Sequence, residues 1–238
     1  MRIRKQAVAV AAGLALWLTA GCATHDGAAQ TDSPHPAATT GPAPSTADAR
    51  GGVPVSVAGV GVVGAGDVIV DVYIEPLCQP CAVFETSTGQ QLAALTAEPG
   101  VTVVYHVVSF LDPRFPDGDG YSLRAAAALA VVADQAPDQY AAFLTALFEH
   151  QTEAKAGAHS NSDIAAWARD VGVPEPVVAQ LDGTSPSFTS FVEATTANAR
   201  DDLAAVGGLS TPTVMVDGTK ADWSDATALL ATIEAARR

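Results

Sequence analysis

The chain has 238 residues, 48% of them hydrophobic, with 12 Lys and Arg against 26 Asp and Glu and a formal net charge of −14. A surface this acidic repels phosphate backbones and anionic lipid headgroups, which argues against nucleic acid as a partner and against membrane attachment by charge.

At the N-terminus, Arg2, Arg4 and Lys5 precede Ala7 to Ala20, a stretch without a charged residue. It is shorter than the ~20 residues a spanning helix needs and fits the hydrophobic region of a secretory signal. It runs into Leu18-Thr19-Ala20-Gly21-Cys22, which looks like a bacterial lipobox, although Thr19 stands where that pattern more often has Leu. Residues 1–21 are then a lipoprotein signal peptide, and Cys22 carries acyl chains that hold the protein on the extracytoplasmic face of the cell membrane. The alternative is an ordinary signal peptide with an incidental cysteine. Without residues 1–21 the chain keeps 9 Lys and Arg against 26 Asp and Glu, so attachment falls to the lipid. With Cys22 lipidated, Cys78 and Cys81 are the remaining pair and no odd thiol is left. No structural disulfide is then available, and the fold must rest on its hydrophobic core.

Residues 22–52 are rich in Ala, Thr, Ser, Pro and Gly and lack aromatic residues. Such composition predicts a disordered tether. Residues 53–238 suffice for one domain with a sizeable core. Val53–Val57 and Val60–Val63 read as short strands around glycine turns. Asp67–Glu75 and Val101–Ser109 read as buried strands, with a helix over Cys81–Ala97 between them, a parallel βαβ unit. From Tyr121 to Val206 the chain is alanine-rich and helical, with apolar stripes such as Tyr140, Phe143, Leu144, Leu147 and Phe148. Thr213–Val216 is a further strand, and Asp217-Gly218 could turn straight into a short edge strand. The last helix runs from Asp225 to about Ala235, with Ser224 placed to cap it.

The chemistry is concentrated in Cys78-Gln79-Pro80-Cys81, where a strand gives way to a helix. A cysteine at a helix N-terminus faces unpaired N–H groups and the positive end of the helix dipole, which stabilise a thiolate. Cys78 is therefore the exposed nucleophile and Cys81 the resolving thiol of a dithiol–disulfide couple. A zinc site would need further cysteines or paired histidines, and His106, His150 and His159 have no such spacing; no metal is expected. A purely structural CxxC disulfide stays open as the alternative.

The order βαβ, helical block, strand and terminal helix, together with Val70-Asp71-Val72-Tyr73-Ile74-Glu75-Pro76-Leu77-Cys78-Gln79-Pro80-Cys81 and Gly208-Leu209-Ser210-Thr211-Pro212-Thr213, resembles the DsbA-like thiol-disulfide oxidoreductases. The resemblance implies an α/β thioredoxin-like fold with an all-helical insertion at about 120–206. It implies that Pro212 is a cis-proline beside the disulfide, and that Thr211 presents backbone groups to an extended substrate peptide. Gln79 and Pro80 would tune the thiolate, and no charged Lys, Arg or His lies nearby in sequence to strengthen it. Glu75 or Asp71 could relay protons to Cys81; the place where thioredoxin carries its buried acid, six residues before the first cysteine, is Val72. Trp167, Trp223 and the Phe residues read as core.

The expectation is an extracytoplasmic thiol-disulfide oxidoreductase, acting as a dithiol oxidase on cysteines of exported proteins. It needs no cofactor beyond its own disulfide and relies on a membrane redox partner. The alternatives are a disulfide reductase or isomerase fed by a membrane reductant, and a non-catalytic envelope lipoprotein whose CxxC is a staple.

Overall fold

The computed structural model describes residues 42–115, 120–153, 159–182 and 187–238. Cys22 and most of the expected tether lie outside the described residues. Among the described residues no helix is long and apolar enough to cross a membrane.

Six strands form one sheet: β1 (Val53–Ser56), β2 (Gly59–Val60), β3 (Val68–Ile74), β4 (Val101–Val107), β5 (Thr213–Val216) and β6 (Thr219–Ala221), in the spatial order β2-β1-β4-β3-β5-β6. β3 and β4 are parallel, pairing Val68 with Val101 through Ile74 with Val107, and the remaining pairings are antiparallel. All seven residues of β4 are buried, as expected of a central strand covered on both faces, and its Val-rich sequence suits that setting. β3 alternates. Val70, Val72 and Ile74 join the main core with Cys81, Phe84 and Leu92, while Tyr73 joins Val108, Ala199, Leu203 and Met215 in a second cluster on the other face. Asp217-Gly218 does turn into the edge strand β6, with both residues at positive φ.

The crossover from β3 to β4 is helical but not uniform. Helix α1 (Gln79–Phe84) continues through a π-helical segment, Glu85–Gly89, into α2 (Gln90–Leu95). It begins two residues before the expected start, because Pro80 lacks an N–H and fits the first turn, where amide hydrogens go unpaired anyway. In the π segment the Glu85 carboxyl lies against Gly89, where a Cβ would come within 2.7 Å of Oε2. Gly89 is what gives that carboxyl its space.

The insert comprises α3 (Tyr121–Gln135), α4 (Tyr140–Glu153), α5 (Asn161–Asp170), α6 (Glu175–Leu181) and α7 (Thr189–Leu203). Ala125 to Ala133 of α3 are buried on every side, so small side chains let neighbouring helices close around it. A final helix, α8 (Ala226–Ala236), is capped by Asp225, whose Oδ1 accepts from the Ala228 N–H at 3.0 Å. Ser224, the expected cap, bonds Asp222 instead. The carboxylate is the better partner for the positive helix end.

The domain begins earlier than residue 53. Residues 42–52, assigned above to a disordered tether, form an ordered strap. The Ser45 N–H donates to Asp134 Oδ1 at 2.9 Å and the Thr46 hydroxyl to the Ala133 carbonyl at 3.0 Å. Asp48 Oδ1 accepts from the N–H groups of Arg50 and Gly52. Arg50 forms an ion pair with Asp202 and donates to the Asn198 carbonyl at 3.0 Å, and Asn198 Nδ2 returns a bond to the Arg50 carbonyl at 3.2 Å. Gly51, at φ +88°, is pressed so close to α7 that a Cβ would lie 2.0 Å from Thr195 Oγ1. Composition suggested disorder because it counts apolar side chains; this segment is held by polar ones.

Glu85 carries a cost that can be measured. It is buried, its Oε1 has no hydrogen-bond partner among the described residues, and burial pushes its pKa from 4.5 up to about 8. Folding therefore favours the neutral acid. The stability that goes with that proton is complete below the ordinary carboxyl value and is lost as pH rises through about 8. Glu85→Gln is expected to stabilise the domain by on the order of 2–4 kcal/mol at pH 8. At pH 4.5 the change should stay within about 0.5 kcal/mol. Urea unfolding at the two pH values checks it; equal effects at both would show that the carboxyl is not held neutral.

Candidate active site

Cys78 is the N-cap of α1, in extended conformation, and Cys81 is one turn in; both are free thiols. Cys78 is 5% exposed and Cys81 is fully buried. The backbone closes the turn: Cys78 N–H donates to the Glu75 carbonyl at 2.9 Å, and the Cys78 carbonyl accepts from the N–H groups of Cys81 at 3.0 Å and Ala82 at 3.3 Å.

The two sulfurs are driven apart in acidity. The Cys78 thiol is lowered, first by a hydrogen bond from the Cys81 thiol, helped by the Thr211 hydroxyl and the Cys81 N–H, against burial and the repulsion of Glu75. Burial pushes the Cys81 thiol up strongly, and its bond to the Cys78 sulfur adds to this. One thiol is thus prepared to ionise while its neighbour keeps the proton it shares with it.

Thr211 and Pro212 stand beside this pair. The Thr211–Pro212 peptide is cis, and the Cys78 thiol donates to the Thr211 carbonyl at 3.2 Å. That carbonyl rewards a protonated Cys78, whereas the Thr211 hydroxyl rewards the thiolate. Gln79 and Pro80 are exposed between the cysteines.

Of the two carboxyls considered for proton transfer, the structure brings only Glu75 to this turn. It is fully buried. Its Oε2 accepts from the Leu77 N–H at 2.6 Å, and its Oε1 from the Leu111 N–H at 3.2 Å and from the Ser122 hydroxyl. Burial raises its pKa to about 7, against the pull of these hydrogen bonds. Asp71 is elsewhere. Its Oδ1 is hydrogen-bonded to His106 Nε2 at 2.9 Å, beside the Tyr73–His106 stack at 4.3 Å, on the face covered by α7. Strand alternation sends it away from Cys81, so it is not part of the site.

An open groove of about 670 Å³ runs past Cys78. Leu77, Phe110, Leu111, Phe115 and Leu209 give it an apolar lining, and among the described residues Arg114 is its one charged member. A second cleft of about 460 Å³ lies across Gln79 and Pro80, against Val83, Gln151 and Trp223. Phe110, Phe115 and Trp223, half-buried, pack against the core as the sequence suggests and also line these clefts, a second role that the sequence does not show. Trp167 is buried, stacked on His150 at 4.4 Å and edge-on to His159 at 4.5 Å. Among the described residues no group of three or more potential ligands is placed to hold a metal ion.

Gln151, Ser122, Arg114 and the Phe110–Leu111 wall also belong to this region, and the sequence barely marks them. Gln151 left one signal, a polar residue where the stripe through Leu144, Leu147 and Phe148 calls for an apolar one. The others sit in loops or at a helix start, where no period marks them.

Residues 61–235 match the family described as Thioredoxin. Among solved structures, the chain is similar to the oxidised DsbA of Mycobacterium tuberculosis, with 29% identity, a TM-score of 0.61, and 78% of this chain covering 92% of that one. It is similar to the disulfide bond oxidoreductase DsbG of the same organism, reduced, with 30% identity, a TM-score of 0.57, and coverage of 71% and 77%. The fold is shared with MdbA, a thiol-disulfide oxidoreductase of Actinomyces oris, at 23% identity and a TM-score of 0.66, covering 81% and 91%. Among curated proteins it is 32% identical over 149 residues to the serine/threonine-protein kinase PknE of Mycobacterium tuberculosis, covering 61% of this chain and 26% of the kinase. The chain thus spans about a quarter of the length of the curated relatives it matches.

A mixed sheet with a CxxC pair at a helix N-terminus, facing a cis-proline loop, defines a thioredoxin-fold redox protein. The chain belongs to the thioredoxin family, and within it to the DsbA-like thiol-disulfide oxidoreductases with a helical insertion.

Because the charge on Glu75 opposes ionisation of Cys78, Glu75→Gln should lower the Cys78 midpoint by about half a pH unit, raising its thiolate fraction up to about threefold at a pH below that midpoint where Glu75 is charged. Below about pH 6 wild type and variant should converge, since Glu75, with its raised value of about 7, is then itself neutral. Thiolate absorbance near 240 nm against pH would show it, and parallel curves at all pH values would contradict it.

Proposed function

We propose that the protein is an extracytoplasmic dithiol oxidase that donates the Cys78–Cys81 disulfide to cysteines of exported proteins. A client thiolate attacks the Cys78 sulfur, the Cys78–Cys81 bond breaks, and Cys81 leaves and takes up a proton. The client's second thiolate then attacks its own sulfur in the mixed disulfide and releases Cys78 as the thiolate. Two electrons pass from the client dithiol to the domain; of the two protons the client thiols give up, one ends on Cys81 and the other goes to solvent, with no cofactor beyond the cysteines. Glu75, buried at this turn and near half-protonation around neutral pH, is the group we assign to exchanging the Cys81 proton. The apolar groove would hold the client chain in extended form against Thr211, with Gln79 and Pro80 at its floor.

The observation that carries this reading is the placement of Cys78 at the N-terminus of α1, beside the buried Cys81 thiol and the cis Thr211–Pro212 loop, where donors favour its thiolate. Whatever stabilises the dithiol form makes its disulfide a stronger oxidant, and here the stabilisation comes from the Cys81 thiol, the Thr211 hydroxyl and a backbone N–H rather than from a neighbouring cation. The similarity to DsbA and to the disulfide bond oxidoreductase DsbG agrees with thiol-disulfide chemistry. Continuous turnover needs reoxidation, which we assign to a membrane redox partner carrying a disulfide or quinone oxidant. Lipidation of Cys22 would place the domain at the extracytoplasmic membrane face, an assignment supported by the lipobox-like sequence.

The deciding experiment equilibrates the protein with glutathione buffers and reads the reduction potential of the pair. A value near about −120 mV supports the oxidase, whereas one near about −270 mV makes it a reductase fed from the membrane. In parallel, Cys81→Ser should accumulate mixed disulfides with reduced, unfolded client protein and Cys78→Ser should not. Equal alkylation rates at the two cysteines and no trapped client would reduce the CxxC to a structural staple.

A further inference from the structure

Gln151 lies on α4, within the insert, where the apolar stripe continues, and it is 6% exposed. A primary amide in such a place destabilises the fold unless its N–H groups are bonded. Its Nε2 donates to the Pro76 carbonyl and, at 3.2 Å, to the Cys78 carbonyl. The Cys78 carbonyl is the same atom that accepts from the Cys81 and Ala82 N–H groups in the first turn of α1. One side chain of the insert therefore bridges the two carbonyls that bracket Leu77, immediately beneath the attacking sulfur. The same residue lines the second cleft with Gln79 and Pro80.

We propose that Gln151 is a positioning residue for thiol-disulfide exchange: it fixes the Pro76–Cys78 backbone so that the Cys78 sulfur meets the Cys81 and Thr211 donors. It acts in two ways. The bridge holds the turn in register with α1, so the N–H and thiol donors converge on the sulfur without reorganising. Its partially positive amide hydrogens also offset the negative ends of two carbonyl dipoles in a dry setting, where such charges act strongly. The lowered acidity midpoint of Cys78 is what this arrangement maintains. The bridge makes the insert part of the redox centre, in addition to its role as cover over the sheet. The inference rests on Cys78 being the attacking sulfur.

The test compares wild type, Gln151→Met and Gln151→Leu in the full chain, with Leu147→Ala as a variant that weakens the same helix face without touching the carbonyls. Thiolate absorbance against pH, the reduction potential and the melting temperature are read for each. Loss of the bridge is expected to raise the Cys78 midpoint by about one pH unit, which lowers its thiolate fraction about tenfold at a given pH below that midpoint. The potential should move towards the reducing side. Leu147→Ala should lose melting temperature with an unchanged thiolate midpoint. Gln151→Met, close in size and flexible, keeps the test open if Gln151→Leu fails to fold. A Gln151→Met protein that titrates and equilibrates like wild type, however far its melting temperature falls, overturns the proposal. A wild-type Cys78 with no thiolate below pH 8 overturns instead the assignment of Cys78 as the attacking thiol.

Discussion

Everything at the reactive end of this domain depends on an inequality of solvation between two sulfurs one helical turn apart. Cys81 is sealed in the core and cannot easily carry charge; Cys78 sits at the rim, where donors converge. Pairing two like thiols would give no direction to the exchange. Burying one makes it hold the proton and lend it as a hydrogen bond, and the other becomes the nucleophile by default. The sheet, α1 and the Thr211–Pro212 loop are arranged so that this inequality persists.

The acids near the core follow the same logic. Glu75 and Glu85 are both raised by burial, but they differ in company. Glu75 accepts from Leu77, Leu111 and Ser122, and so ties the CxxC turn to the wall of the groove and to the start of α3. Glu85 leaves an oxygen without a partner among the described residues and occupies space that Gly89 vacates. The first is a joint between elements that must stay in register for the groove to exist. The second is a local expense inside a helix that departs from α geometry at that point.

Much of this was legible in the sequence, and the failures have physical causes. The strand before Cys78, the parallel βαβ unit, the helical block and the edge strand after Asp217-Gly218 all follow from hydrophobic period and turn chemistry, which are local properties. The strap was misread because hydrophobicity does not register Asp48 folding back on its own amides or Arg50 meeting Asp202, contacts between residues about 150 positions apart. Asp71 and Glu75 looked equivalent as acids ahead of a CxxC. Strand alternation sends Asp71 to His106, and the irregular turn after β3 brings Glu75 inward. The absence of a nearby cation in sequence suggested weak thiolate support. The actual donors, a neighbouring thiol, a hydroxyl from residue 211 and a backbone amide, are neutral groups that no charge count reveals.

The strap also keeps its distance from the chemistry. Ser122 opens α3 at the CxxC end, while Ser45 and Thr46 dock at Asp134 and Ala133, eleven or twelve residues further along the helix and so about 17 Å away at 1.5 Å per residue. The strap thus meets the helix at the end opposite the thiols. Among the described residues, none of the strap lines the groove beside Cys78. One helix therefore carries anchorage at one end and chemistry at the other, and the polar contacts that hold the strap are separate from those that hold the thiols.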